Sequence, residues 1–274
     1  MTARATALAR AADRPASPPT PRRGAGGPAS VEVHDVSKVF GDTSNATYAL
    51  DHISLTVEPG EFVCILGASG CGKSTLLNLV AGLDRPSAGT IDVQGTTSLM
   101  FQDAALFPWL TARGNVELAL QLDGVGRAER RTRSDELLAM VNLGEFAKKR
   151  PHQLSGGMRQ RVALARALSQ QVDVLLMDEP FGALDAMTRD LLHDEIERIW
   201  REQHLAVVFV THNVREAVRL GDRVVLLSSR PGRVIAEFPV DIARPRRIDS
   251  PAVATLAATI TDQLRAEVGR HAEH

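Results

Sequence analysis

Residues 61–80 read EFVCILGASGCGKSTLLNLV. A short apolar run, a glycine-rich turn ending in Lys73-Ser74, and a second apolar run make up this stretch. Gly67 to Ser74 fits the pattern G-x-x-x-x-G-K-[ST], and the flanking runs predict the strand before it and the helix after it that the pattern requires. Glycines let such a loop wrap tightly enough for its N–H groups to face phosphate oxygens. Lys73 adds a point charge for the β- and γ-phosphates, and the Ser74 hydroxyl is a ligand for Mg²⁺. The helix start contributes roughly half a positive charge more. The expected nucleotide contacts are therefore Gly67, Ala68, Ser69, Gly70, Cys71, Gly72, Lys73, Ser74 and Thr75.

Outward from the loop, VEVHDVSKVF, ALDHISLTV and EFVCIL predict strands, as do TIDVQG and SLMFQ after the first helix. Between about residues 104 and 170 helical candidates take over: GNVELALQL, RAERRTRSDELLAMVNL and MRQRVALARALS. Strand and helix then alternate through VDVLLMD, RDLLHDEIERIWREQ, LAVVFVTH and VREAVRLG to a closing hairpin, RVVLLSS to RVIAEFPV. Such alternation argues for an α/β fold with a parallel sheet covered on both faces. The expected organisation is a disordered tail over 1–29, one large domain over 30–244 with a helical insert near 104–170, and a helical extension over 245–274. The tail is rich in Ala, Pro, Arg and Gly and lacks the apolar residues needed to order itself. GAGGPASVEVHD follows Arg22-Arg23 where an export signal would need an apolar stretch, so the arginine pair is not read as one.

The 274 residues carry 44% hydrophobic and 24% charged side chains and a formal net charge of −1, which offers no global field for nucleic acid or an anionic membrane. No apolar run approaches the roughly 18 residues of a spanning helix. The two cysteines are Cys64, before the phosphate loop, and Cys71, within it, an arrangement that points to a reducing compartment rather than a disulfide. Placed inside the loop, Cys71 is expected to be simply a small residue there, with sensitivity to thiol reagents and protection by ATP as the further expectation.

VDVLLMDEP, residues 172–180, is an apolar strand ending in adjacent carboxylates, at the sheet edge where open α/β folds bind ligands. Asp178 is expected to hold Mg²⁺ and Glu179 to polarise the attacking water. One stretch remains unexplained by a single nucleotide: HQLSGGMRQRVALARAL, residues 152–168, turns at Ser-Gly-Gly into a helix and so makes a second anion-facing helix start.

LSGGMRQR after a helical insert, with MDEP about twenty residues later, resembles the ATP-binding cassette family, with Met158 where the signature usually has Gln. The resemblance spans roughly residues 31–240. It implies a P-loop NTPase with a RecA-like core, an antiparallel β-subdomain and an inserted α-helical subdomain. It further implies a head-to-tail pair in which Ser155, Gly156 and Gly157 of one copy close over the γ-phosphate held by the other. Gln102 in LMFQDAALFPW matches the glutamine that links Mg²⁺ to the insert, and His212 matches the switch histidine. Asp185 in GALDAMTR matches the loop that crosses the dimer interface, and Phe40 matches the aromatic residue that stacks on adenine, with Tyr48 as its rival. By this likeness Lys73, Gln102, Glu179 and His212 are catalytic, and Ser74, Gln102 and Asp178 form the Mg²⁺ set. Pro108 and Trp109 are expected to pack inside the insert; a groove for a partner's coupling helix is the alternative.

MFQDAALFPWLTARGNV, MDEPFGALDAMTR and LLSSRPGRV are similar to the import ATPases for nitrate, sulfonate and taurine. The likeness implies an ATPase at the cytoplasmic face of the membrane, using ATP and Mg²⁺, pairing as a homodimer, docking on separate permease subunits and served by an extracytoplasmic binding protein. An exporter ATPase and a non-transport soluble ATPase are the alternatives. The connection between TIDVQG and SLMFQ is shorter than such ATPases usually carry.

Overall fold

The computed structural model describes residues 30–41, 45–170, 172–182 and 184–272. The tail expected over 1–29 lies outside the described residues. Nine strands form two sheets among the described residues. Strands β1 (Val31–Phe40), β2 (Thr47–Val57) and β4 (Ala88–Val93) make a three-stranded antiparallel sheet in the order β2-β1-β4. The other six are β3 (Phe62–Leu66), β5 (Thr97–Met100), β6 (Val174–Asp178), β7 (Ala206–Thr211), β8 (Arg223–Leu227) and β9 (Val234–Pro239). Their order is β5-β6-β7-β3-β8-β9, parallel except for the antiparallel β9.

The buried strands read as continuous apolar runs because both faces of the parallel sheet are covered. Side-chain alternation sends Phe62, Cys64 and Leu66 of β3 into one core, with Leu175, Met177, Val207 and Phe209. Val63 and Ile65 point the other way, joining Val174, Leu176, Val208 and the inner residues of the antiparallel sheet. The second core also holds Leu76, Leu77 and Val80 of α1 (Lys73–Val80).

The short connection after β4 carries the chain from one sheet to the other. Gly95 takes φ +85°, and Thr96 N–H donates to the Asp173 carboxylate at 2.8 Å, which starts β5 alongside β6. A Cβ on Gly95 would fall 2.1 Å from that carboxylate.

The insert folds as α2 (Ala112–Leu122), α3 (Arg127–Met140) and α4 (Gly156–Ala167). Helices α5 (Ala186–Gln203) and α6 (Val214–Leu220) follow β6 and β7. The carboxy-terminal extension forms α7 (Pro251–Ala272), whose Val253, Ala257 and Ile260 enter the same core as the parallel sheet. Arg246 precedes it as a buried cross-link, donating to the carbonyls of Val218, Val240 and Ile242. Burial holds this guanidinium down to about 10.

Candidate functional site

The phosphate loop leaves β3 and enters α1 through Gly72, whose φ of +99° no side chain adopts without strain. A Cβ there would also lie 2.7 Å from the Ala49 carbonyl of β2. No side chain caps α1, so its first N–H groups are left for a ligand. Lys73 is buried and bends back to donate to the carbonyls of Gly67 at 2.9 Å and Ala68 at 3.0 Å. Arg230, in the turn after β8, donates to Gly70 at 3.2 Å and steadies the loop from outside.

Cys71 is the small packed residue of the first expectation; the accompanying thiol reactivity is what the structure corrects. Its side chain is 1% exposed, and its sulfur fills the space beside Gly67, where a Cβ would come within 2.6 Å of it. Burial raises the thiol pKa, opposed by the Lys73 ammonium. The residue packs beneath the loop as a small apolar group, so the expected reactivity does not fit the fold.

The acidic strand end meets the loop directly. Asp178 is half-buried and hydrogen-bonded to the Ser74 hydroxyl; burial raises its pKa, while that bond pulls the other way. Glu179 follows in the left-handed region at φ +43°, with its N–H bonded to Val210 O on β7 at 2.9 Å. This strained backbone turns the carboxylate into the cleft. One carboxylate oxygen lies 4.0 Å from Lys73 Nζ and the other 2.8 Å from His212 Nδ1, at the end of β7. Gln102 follows β5, its carbonyl held by Gln160 Nε2 of α4 at 2.8 Å, and its amide reaches to 3.6 Å from where a Gly182 Cβ would stand. The structure therefore brings Lys73, Ser74, Asp178, Glu179 and His212 to one edge of the sheet, with Gln102 beside them.

An Mg²⁺ ion fits this donor set. Ser74 and Asp178 offer hard oxygens side by side, and no cluster of three or more His, Cys, Asp or Glu able to hold a metal occurs among the described residues. Mg²⁺ is commonly held by one or two protein oxygens together with substrate phosphates and water.

Ser155, Gly156 and Gly157 open α4 elsewhere. The Ser155 hydroxyl caps the helix, accepting from Met158 N–H at 3.2 Å. A Cβ on Gly157 would fall 2.2 Å from Thr188 Cγ2, and one on Gly156 3.3 Å from Leu184. The neighbours of this helix start thus belong to the Asp185 turn. Asp185 itself caps α5, accepting from Thr188 N–H at 3.0 Å and Thr188 Oγ1 at 2.7 Å, bonds that hold its carboxyl below the usual range.

Phe40 and Tyr48, both candidates for the adenine side, stand 44% and 54% exposed near the β1–β2 turn. Lys38 Nζ lies 4.9 Å over the Phe40 ring.

Trp109 departs from the packing expected of it: it is 67% exposed, with Phe107 beside it at 5.4 Å between ring centres. The cause is Asn115, fully buried on α2. It bonds both Phe107 N–H, at 2.7 Å, and Phe107 C=O, at 3.3 Å, holding the loop so that its rings face outward. The sequence reading passed over Asn115, Gln160 and Arg230. Their signals were faint, since each is one polar residue without a motif of its own.

A family profile described as ABC transporter matches residues 50–182. The chain is 45% identical over 220 residues to the nitrate import ATP-binding protein NrtD of Synechocystis, covering 77% of this chain and 83% of that one. Against the aliphatic sulfonates import ATP-binding protein SsuB 1 of Burkholderia lata it is 48% identical over 247 residues, covering 87% and 74%. The dimeric structure of the ATP-binding cassette MJ0796, in a post-hydrolysis state bound to ADP and Pi, superposes with a TM-score of 0.70 at 35% identity, covering 78% of this chain and 100% of that one. Identity at this level, over most of each relative's length and on the same architecture, makes the chain a member of the ABC transporter family.

Proposed function

We propose that this chain is the ATP-hydrolysing subunit of an importer for a small anion of the nitrate, sulfonate or taurine kind. One observation carries the reading: Glu179 and His212 stand 2.8 Å apart facing Lys73, while the Ser155–Gly157 helix start packs against Leu184 and Thr188 of the Asp185 turn. A site complete except for its second anion cradle is what a head-to-tail pair supplies, each copy's α4 closing on the other's nucleotide. Twofold symmetry then produces two equal composite sites.

Within each site the loop N–H groups and Lys73 orient the β- and γ-phosphates. Ser74, Asp178 and Gln102 hold Mg²⁺, which when bound neutralises charge on the phosphate oxygens. Glu179 takes the proton of the attacking water as that water's oxygen bonds to the γ-phosphorus and the bond to the ADP oxygen breaks. His212 holds the Glu179 carboxylate in place and reaches the γ-phosphate. Phe40 stacks on adenine. The exposed Phe107–Trp109 face receives a cytoplasmic helix of the permease, and Gln102, fixed to α4 through Gln160, couples that contact to the nucleotide. An extracytoplasmic binding protein delivers the cargo. No helix among the described residues is long and apolar enough to span a membrane, which suits a subunit docked on the cytoplasmic face.

Glu179→Gln tests this reading. Turnover is expected to fall about 10²- to 10⁴-fold while ATP binding persists and an ATP-bound dimer accumulates. The same variant, tagged and captured from detergent-solubilised membranes with ATP, is expected to bring a polytopic permease. A monomer under saturating ATP contradicts the shared site; recovery of soluble partners alone overturns the transport role.

A further inference from the structure

Behind the proposed water site lies a buried polar chain that none of the roles above uses. His193 of α5 is 0% exposed, and its Nε2 sits 2.6 Å from one carboxylate oxygen of Glu216 on α6. The second Glu216 oxygen meets the Thr211 hydroxyl, itself buried at the end of β7. Thr211 Oγ1 accepts the Asn213 N–H at 3.0 Å, and so keeps its own proton for Glu216. Burial pushes the Glu216 carboxyl up and the Thr211 bond pulls it down, so one proton is shared across the 2.6 Å contact between Glu216 and His193 Nε2. Asn213 closes the arrangement by capping α6, its Oδ1 accepting from Arg215 N–H at 3.1 Å and Glu216 N–H at 3.3 Å.

Both chain neighbours of His212 are therefore tied to Glu216, Thr211 through its carboxylate and Asn213 through its backbone N–H, and the carboxylate is tied to His193. The His193 ring also lies edge-on to Phe181, at 5.3 Å between ring centres. Phe181 is two residues beyond Glu179. One imidazole thus touches the segments that carry both partners of the Glu179–His212 hydrogen bond. Burying a histidine and a glutamate for packing alone would be costly, and an apolar residue would fill the space at less expense. Around them α5 buries Leu192, Ile196 and Ile199 together with Glu197, and Asp190 lies 3.7 Å from His193 Nδ1.

We infer that His193 is a positioning residue for hydrolysis, setting the place of His212 through Glu216 and Thr211 and that of Glu179 through Phe181. This rests on the assignment of Glu179 and His212 made under Proposed function. His193 itself touches neither nucleotide nor water. Its loss acts on kcat and leaves nucleotide affinity in place.

The test is a kinetic cycle on the full chain: His193→Leu, His193→Gln, His212→Ala, and the His193→Leu/His212→Ala double variant. His193→Leu is expected to lower kcat at least tenfold with KM for ATP within twofold. His193→Gln, which keeps an N–H donor near Nε2, is expected to recover most of the loss. In the double variant the loss is expected to fall well short of the product of the two single losses, because the His212 arm is already gone and only the Phe181 arm remains to be lost. Full additivity, no rescue by Gln, or a kcat within twofold of the parent for His193→Leu overturns the inference. Should His193→Leu fail to fold, the near-isosteric Thr211→Val breaks the same chain and is judged by the same criteria, with Thr211→Ser as the rescue. An undiminished kcat in His212→Ala overturns the earlier assignment of that residue instead, so the two failures are distinct.

Discussion

Two helices of this protein begin with glycine and suit an anion, yet they are built differently. Helix α1 starts at a left-handed Gly72 with no side-chain cap, and Lys73 is folded under it. Helix α4 starts at Ser155, in extended conformation, with its hydroxyl already engaged by Met158 N–H. The first leaves its leading N–H groups open and is flanked by Asp178, Glu179 and His212. The second is self-capped, and its neighbours are Leu184 and Thr188. On the roles proposed above, the helix start that binds its own chain's nucleotide is left unfinished, and the one that serves a partner holds its shape alone.

The largest effect that separates the two concerns Gly72. Gly72→Ala combines a positive φ with a 2.7 Å approach to Ala49 O, and the strain of about 2–3 kcal/mol should weaken nucleotide binding at least tenfold. Titration with a fluorescent ATP analogue measures it; binding at parental affinity would mean the loop tolerates a side chain and the contrast with α4 is false. Next, Cys71 should react with a thiol reagent at least about tenfold more slowly than a free cysteine, because burial lowers its thiolate fraction. Fast labelling of the folded protein would put the loop in a different conformation.

At α4, Ser155→Ala removes the cap and should cost about 1 kcal/mol of stability by urea denaturation. ATP binding by the isolated subunit should stay unchanged while hydrolysis falls. A parallel loss of binding would show that α4 serves its own chain. The smallest effect sits at Asp185. Its carboxyl is held below the ordinary range by Thr188, so its support for α5 is full above pH 4 or so and fades as pH falls through the lowered folded value. Asp185→Asn lacks this term, and the gap between the two urea midpoints should narrow from pH 5 to pH 3.

How legible these features were depends on whether their causes are local. The strand, loop and helix around Gly67–Ser74 were readable because each residue type answers to the backbone next to it. Asp178 and Glu179 were readable as a pair, since a buried strand that ends in two carboxylates needs something to neutralise. The positive φ of Glu179 was not, because it is enforced by Val210 on another strand. Trp109 was misjudged for the same kind of reason: aromatic residues are usually buried, and only the Asn115 clamp, six residues on, reverses this. His193 did carry a hint, as a polar residue on the face of α5 that holds Ile196 and Ile199. Its partner, Glu216, lies 23 residues away and no spacing pointed to it. Helix α7 was readable as a helix, but its berth in the core was not, because an Ala-rich surface fits many neighbours.

One last feature bears on how such a machine could deliver force. At Gly232, in the turn before β9, three stretches of backbone come together: its N–H donates to Ala49 O at 2.9 Å, its C=O accepts from Asp51 N–H at 2.9 Å, and a Cβ would stand 2.2 Å from Cys71 O. The antiparallel sheet, the phosphate loop and the β8–β9 turn are riveted at that point. A displacement of any one of these three segments is therefore passed directly to the other two, so the face carrying Phe40 and Tyr48 is mechanically joined to the phosphate loop.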